Sequence, residues 1–376
     1  MHFKSEKIRV GILGMGRASD FMNPVLAYPH TVLAAICDRI PGKATRALKK
    51  QNIDQGGIIV FNEYTEMLEK ADLDVVIIGS GWSDHVPQSI MALERGIHVF
   101  SEVPVTVTLD QAKNLAQACR KSRAVYMMGE NSCYHRHIMT VLGMVRDGLL
   151  GYIHYAEGEY IHDCRYLLDL IPWRREMMYS INGLMYMTHE IGPILDWIDW
   201  DRIVSVSAAG SGSHFRDAKG KPFVMETRLT MQCKTAKGRL IRLCQDFQSP
   251  CAGYHHRYIV QGVEGRYESR FRSFPDQIMS TLLPDENEKP HWTDLSQYEK
   301  KYLPDIWKRL GDEAIKHGHG GTDFIMMHDY LESLWKGKPV RFDVNKSLDM
   351  TLPGIMSVES LKQDNAWVDV PDPRVW

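Results

Sequence analysis

IRVGILGMGRAS, residues 8–19, decides the fold: a strand-like apolar run ends in Gly14-Met15-Gly16-Arg17-Ala18-Ser19, and a helix-like stretch opens at once. Glycines at such a junction permit a tight turn and let backbone N–H groups approach a pyrophosphate, which then rests at the positive end of the helix. A lone Gly-x-Gly pattern says little, and its last position here is Ser19 and not Gly or Ala. Context strengthens it. Strand, turn and helix follow in order, and Asp38 closes the second strand candidate, where a carboxylate can accept both ribose hydroxyls. Asp38 would repel a 2′-phosphate, a preference that adjacent Arg39 softens, so NAD is the expected cofactor.

Outward from this turn the same rhythm repeats. VLAAICD, GIIVF, DVVIIGS, IHVFSE and AVYMMGE are continuous β-rich runs, separated by helix-like segments such as TLDQAKNLAQACRKS. Uninterrupted apolar strands alternating with helices imply a parallel sheet covered on both faces, here a Rossmann-like doubly wound α/β domain over residues 1–130. Ligands of such sheets lie beyond the carboxyl ends of the strands. Ser80, Gly81, Trp82, His85, Glu102 and Glu130 therefore fall at the cofactor edge, with Val103 and Pro104 completing the turn after Glu102. His85 and Trp82 are expected to shape the nicotinamide pocket.

After Tyr134 the strand candidates alternate and follow one another without helices: YIHYAEGEYIHD, RIVSVSAAGS, VMETRLTMQC, RLIRLCQDFQ, HRYIVQGVEG and GRYESRFRS. That pattern predicts a largely antiparallel open sheet in an α+β substrate-binding domain over residues 131–376, whose C-terminal segment can pack back on the first domain. The stretch from about 275 to 317 is rich in Pro, Asp, Glu and Lys, lacks periodicity, and reads as a long loop.

Composition narrows the partners. Lys and Arg total 45 against 47 for Asp and Glu, so no electrostatic case exists for nucleic acid or an anionic membrane, and a small substrate is expected. Seven cysteines without a close Cys-x-x-Cys pair argue against a disulfide framework and a structural zinc site. His317 and His319 in HGHGG lack acidic or cysteine partners at ligand spacing, so no metal is expected. The opening residues run from a short polar lead into the first strand without a secretory pattern, and the chain reads as cytoplasmic. The open sheet face is a plausible homo-oligomer contact.

A dinucleotide domain ending in HVFSEVPVT, followed by an α+β domain, resembles the Gfo/Idh/MocA oxidoreductases over essentially the whole chain. That family usually has Glu-Lys-Pro at this turn, its lysine assisting proton transfer from a sugar hydroxyl; here Glu102, Val103 and Pro104 stand there and the lysine is missing. A closer resemblance rests on SEVPVTVTLDQA, MMGENSCYHRHIMTVLGMVRDGLLG, EGEYIHDCR, WRR, NGLMYMTHEIGP, HGGTDF and WVDVPDPRVW. These stretches are similar to the NAD-dependent glycosidases of glycoside hydrolase family 109, typified by bacterial α-N-acetylgalactosaminidases. The resemblance implies site residues at Glu130, at Tyr160 and His162 of a Y-x-H strand, and at Tyr186 and His189 of a Y-x-x-H motif. Arg165 and Trp173 are expected to bind substrate, and His319 of HGHGG either lines the substrate or opens the helix that follows. Met187, where the group usually has Pro, and the stretch 211–316 depart from its pattern.

The residues can be weighed without the family. Tyr160 and His162 lie two apart on a strand and so share a face, which is also what a solvated sheet face would give. Tyr186 and His189, if helical, share a face too, although a histidine at a helix start is commonly a cap or a satisfied core residue. Glu130 could hold a substrate hydroxyl or pair with Arg136. Oxidising a secondary alcohol needs a hydride acceptor and a base, and with Val103 unable to serve, His189 beside Tyr186 is the replacement, since imidazole titrates near neutral pH. What the resemblance implies is oxidation of a pyranoside at C3, loss of the C2 proton to Tyr160 or His162, expulsion of the aglycone, water addition and re-reduction, with NAD tightly bound and recycled in place. Two alternatives stay open: a sugar 3-dehydrogenase feeding a separate lyase, and a non-catalytic NAD-binding sensor.

Overall fold

The computed structural model describes residues 6–376 except 169, 252–253, 271–274 and 284–290. The chain divides into two compact units. The first holds the chain up to Tyr134 with Ile306–Leu348 and Pro373–Trp376; the second holds His135–Asp305 and Asp349–Asp372.

The first unit is built on a six-stranded parallel sheet of β1 (Ile8–Leu13), β2 (Thr31–Cys37), β3 (Ile59–Phe61), β4 (Val75–Ile78), β5 (His98–Ser101) and β6 (Tyr126–Met128). Strand order is β3-β2-β1-β4-β5-β6, so the order reverses between β1 and β4, where ligands of doubly wound sheets bind. Val10, Ile12, Val76, Ile77, Val99 and Phe100 are wholly buried, the reason these strands read as continuous apolar runs. The turn after β1 enters a short 3-10 helix, Arg17–Phe21, before the α-helix Met22–Ala27.

The second unit carries a nine-stranded sheet: β7 (Ile153–His162), β8 (Ile203–Gly210), β9 (Arg228–Thr235), β10 (Leu240–Asp246), β11 (Tyr254–Gly262), β12 (Gly265–Glu268), β13 (Gln277–Ser280), β14 (Thr293–Asp294) and β15 (Val368–Asp369). Its order is β14-β13-β12-β11-β7-β10-β9-β8-β15, antiparallel at every pairing but β7 with β10. Along β7, Ala156, Gly158, Tyr160 and His162 point to the buried face, while Glu157 and Glu159 face Arg242 and Arg257 on the other. Among the described residues no helix is long and apolar enough to cross a membrane.

The stretch from 275 to 317 is not a loop throughout. β13 and β14 extend the sheet, with Ile278 fully buried against β12, and Asp305–Ala314 is helical. β13 is only four residues long, too short for periodicity to reveal; it forms because β12 offers it an edge. The end of the GRYESRFRS run, residues 271–273, lies outside the described residues.

Candidate active site

In the first unit the glycine turn is shaped for close approach. Gly14 has φ +89°, and a Cβ there would meet the Gly79 carbonyl oxygen at 2.5 Å. A Cβ on Gly16, by contrast, would meet nothing within 4 Å, leaving open space over the turn at the switch point. The Asp38 carboxylate accepts the Met15 N–H at 2.8 Å and the Ile40 N–H at 2.9 Å and lies 3.0 Å from the Lys43 ammonium. Three of its roughly four acceptor positions are thus taken, leaving room for one ribose hydroxyl and not the two expected. Exposed Arg39 adjoins it, Ala18 is buried against Gly79, and the Ser19 hydroxyl donates to the Gly16 carbonyl at 2.7 Å, closing the loop. These residues fit a dinucleotide: an open, glycine-lined turn with a carboxylate at the end of the second strand.

Beyond β4, Ser80 donates to Gln88, Gly81 precedes the helix Trp82–Leu93, and the Trp82 indole is buried. His85 is a buried strut, Nδ1 donating to the Pro104 carbonyl at 2.9 Å and Nε2 lying 3.3 Å from the Ser80 carbonyl, and burial holds it below the usual imidazole range. It joins the turn after β4 to the Glu102-Val103-Pro104 turn.

Arg17 lies in an ion cluster. Its guanidinium grips Asp323 with two hydrogen bonds of 2.8 and 2.7 Å and reaches Glu102 at 3.1 Å and Asp20 at 3.2 Å. His319, expected to touch substrate, pairs through Nδ1 with Asp323 at 2.8 Å, and Asn131 donates to the same carboxylate at 3.0 Å. Burial raises the Asp323 carboxyl, but Arg17 and His319 outweigh it and hold it well below the usual carboxylate range. The hydrogen bond to Asp323 holds His319 above its ordinary value. Glu102 rises through burial, a pull that Arg17 only partly offsets. Glu130, fully buried after β6, accepts the Ser132 N–H at 3.1 Å. Arg136, the alternative partner considered for it, pairs with Glu299.

In the second unit the sequence pairs converge. A Cβ on Gly158 would lie 2.6 Å from that of Glu190, so glycine in mid-strand lets the helix Thr188–Trp197 settle onto β7. Pro193 within that helix has no N–H for the His189 carbonyl; the Tyr258 hydroxyl donates to it at 2.9 Å and fixes the helix start. Tyr186 is not helical as the spacing suggested, since it lies in the turn before Thr188, where its N–H donates to the Gln245 side chain at 3.3 Å. Its ring still meets His189 edge-on at 4.9 Å. Tyr160 lies 5.7 Å from both of those rings, and its hydroxyl is 3.3 Å from His162 Nδ1. Trp173 stands 6.3 Å from Tyr186. Arg165 instead pairs with Asp163 at 2.7 Å and covers the Phe215 ring.

Three members of this cluster escaped the sequence reading. His256 on β11 is the cross-strand neighbour of Tyr160, stacks on it at 4.6 Å, and holds Glu190 through Nδ1 at 2.6 Å. Glu190 itself is completely buried. Arg174 is buried beside the rings of Trp173 and Tyr186, with Nη1 on the Cys164 sulfur at 2.8 Å. The available signal was the period-two spacing of His256 and Tyr258, which puts two aromatic rings on one strand face. Burial and the neighbouring Tyr186 push the Tyr160 phenol well above 10, while burial, Arg174 and His256 push His162 down to about 4. At neutral pH the cluster thus holds a protonated phenol touching a neutral imidazole, which can pass a proton. Among the described residues, no group of three or more His, Cys, Asp or Glu is arranged to hold a metal ion.

Known proteins locate both units. A family model described as glycosyl hydrolase 109, C-terminal domain, matches residues 134–374, and one described as oxidoreductase family, NAD-binding Rossmann fold, matches residues 8–130. The chain is 30% identical over 397 residues to an alpha-N-acetylgalactosaminidase of Shewanella oneidensis, covering 98% of this chain and 85% of that protein. It is also 30% identical over 393 residues to a glycosyl hydrolase family 109 protein of Saccharopolyspora erythraea, covering 98% and 83%. Among solved structures, levoglucosan dehydrogenase in complex with NADH and levoglucosan matches with a TM-score of 0.79 at 19% identity, covering 97% of this chain and all of that one. Apo scyllo-inositol dehydrogenase from Lactobacillus casei matches with a TM-score of 0.72 at 17% identity, covering 98% and 99%. NAD is the cofactor of the first unit.

Proposed function

The chain belongs to glycosyl hydrolase family 109 on a Gfo/Idh/MocA framework, and from that premise we propose that this NAD-dependent, sugar-active enzyme cleaves a pyranoside through transient oxidation at C3. The observation that carries this reading is the gathering of Tyr160, His162, Tyr186 and His189 into one aromatic cluster whose members can exchange protons. Gly14, Gly16 and Asp38 would hold the cofactor. Bound NAD supplies the hydride acceptor and returns the hydride at the end of the cycle.

His189, with the Tyr186 phenol beside it, takes the hydroxyl proton as C3 becomes a ketone. The C3 carbonyl acidifies the hydrogen on C2. As the bond from C1 to the aglycone oxygen breaks, the Tyr160 oxygen takes that proton while the phenol's own proton moves to neutral His162, whose Nδ1 lies 3.3 Å away. Water then adds at C1, C2 regains a proton, and C3 is reduced again. The name of the Shewanella relative makes aryl α-N-acetylgalactosaminides the first substrates to try.

Turnover in heavy water tests the route. Deuterium is expected at C2 of the released sugar, and a product without it rules out elimination. NADH accumulating in proportion to substrate, with the glycosidic bond intact, selects a 3-dehydrogenase acting ahead of a separate lyase. A His189→Ala change that alters no turnover assay selects a silent NAD-binding sensor.

A further inference from the structure

An elimination across C1 and C2 needs two proton-handling groups side by side: one to take the C2 hydrogen, the other to protonate the oxygen that leaves C1. Tyr160 and His162 account for the first. His162 cannot be the second at neutral pH, because burial, Arg174 and His256 hold it down to about 4. The Tyr160 phenol is a poor donor, pushed well above 10 by burial and Tyr186.

His256 lies next to that base. It stands opposite Tyr160 in the β7–β11 register, and the two rings stack at 4.6 Å with 25° between their planes. Its Nδ1 is 2.6 Å from Glu190 Oε1, and Glu190 is wholly buried. A carboxylate taken out of water is stable when paired, and by accepting Nδ1–H it fixes the ring orientation and favours the imidazolium. Proton exchange then runs through Nε2, as in other carboxylate–histidine pairs.

We propose that His256, oriented by Glu190, is the acid that protonates the departing aglycone oxygen, a role that rests on the elimination route proposed above. As the C1–O bond breaks, its electron pair stays on the aglycone oxygen, which takes the Nε2 proton and leaves as an alcohol. The electron pair of the C2–H bond becomes the C1–C2 double bond, and the C2 proton passes to the Tyr160 oxygen as the phenol proton moves to neutral His162; both moves reverse when C2 is reprotonated. When water adds at C1, its surplus proton returns to Nε2 and restores the imidazolium, so no outside reagent is consumed.

The test compares leaving groups on NAD-loaded protein. A p-nitrophenyl and a methyl α-N-acetylgalactosaminide carry the same sugar, but p-nitrophenolate leaves without a proton whereas methoxide does not. His256→Gln and Glu190→Gln are expected to slow methanol release by about 10²-fold or more, the usual contribution of a general acid, and p-nitrophenol release by less than about tenfold. Equal losses on both substrates, or no loss on either, overturn the assignment. Should His256→Gln melt far below the parent, Glu190→Gln decides alone, because the amide keeps shape and hydrogen bond but removes the charge. Parent protein that releases p-nitrophenol but never methanol also overturns it. Parent protein that releases neither refutes the elimination route itself, and the inference with it, before any substitution is made.

Discussion

Two clusters of titratable side chains, one in each unit, are built on opposite principles. In the first unit Arg17, Asp20, Glu102, His319 and Asp323 form an ionic knot in which every charge answers another. In the second, Tyr160, His162, Tyr186 and His189 meet mainly as rings, and burial keeps the phenol protonated and His162 uncharged. A knot of locked charges suits holding a loop, since moving any proton unbalances the rest. A neutral phenol in contact with a neutral imidazole suits proton transfer. Arg17 and His319, expected to touch cofactor and substrate, are instead engaged with Asp323, and an assignment based on residue type alone cannot tell the two situations apart.

The contrast can be broken by substitution. The largest effect is expected from His189→Ala, which should lower aglycone release by about 10³-fold, within the range of a lost general base, with NAD content unchanged by absorbance. Retention of most activity would move the working base elsewhere in the cluster. Asp323→Asn should act the other way round, costing about 1.5–3 kcal/mol of stability because it removes the doubly hydrogen-bonded carboxylate from Arg17 and leaves only Glu102 and Asp20 as its counter-charges, read as a lower thermal midpoint. A midpoint unchanged from the parent would mean that the knot holds nothing.

Gly14→Ala sharpens the cofactor side. A non-glycine residue at φ +89° costs about 1–2 kcal/mol, and the added methyl meets the Gly79 carbonyl, so NAD affinity should fall by about tenfold or more in a binding titration. The smallest effect concerns pH. Folded His162 takes its proton only at about 4 against an ordinary 6.5, so the unfolded chain binds more protons between those values, and stability falls as pH is lowered through that window. His162→Gln should make the midpoint less steep there by at most about 1.4 kcal/mol per pH unit. The knot behaves differently. The contribution of Asp323, its carboxyl held low, is present above an ordinary carboxyl value of 3.8 and fades as pH falls further; that of His319, held high, is full below 6.5 and fades as pH rises through its folded value.

Much of the arrangement was legible in the chain itself. The six apolar runs of the first sheet and the alternating runs of the second needed only periods of continuous burial or of two, and Tyr160 with His162 followed from that same alternation. Tyr186 was placed beside His189 for the wrong local reason, since it lies in a turn and not on the helix. β13 and β14, four and two residues long, were missed because strands that short carry no periodic signature of their own.

By itself the sequence determined where strands run, which glycines a phosphate could approach, and which tyrosines and histidines alternate onto a common face, because these depend on neighbours a few residues away. Only the tertiary structure decided that His256 stacks on Tyr160 and grips Glu190, and that Arg17 closes on Asp323 from 306 positions away. Those pairings join strands and helices distant along the chain, and what selects them is the register of a sheet and the desolvation of charge, neither of which a local pattern contains.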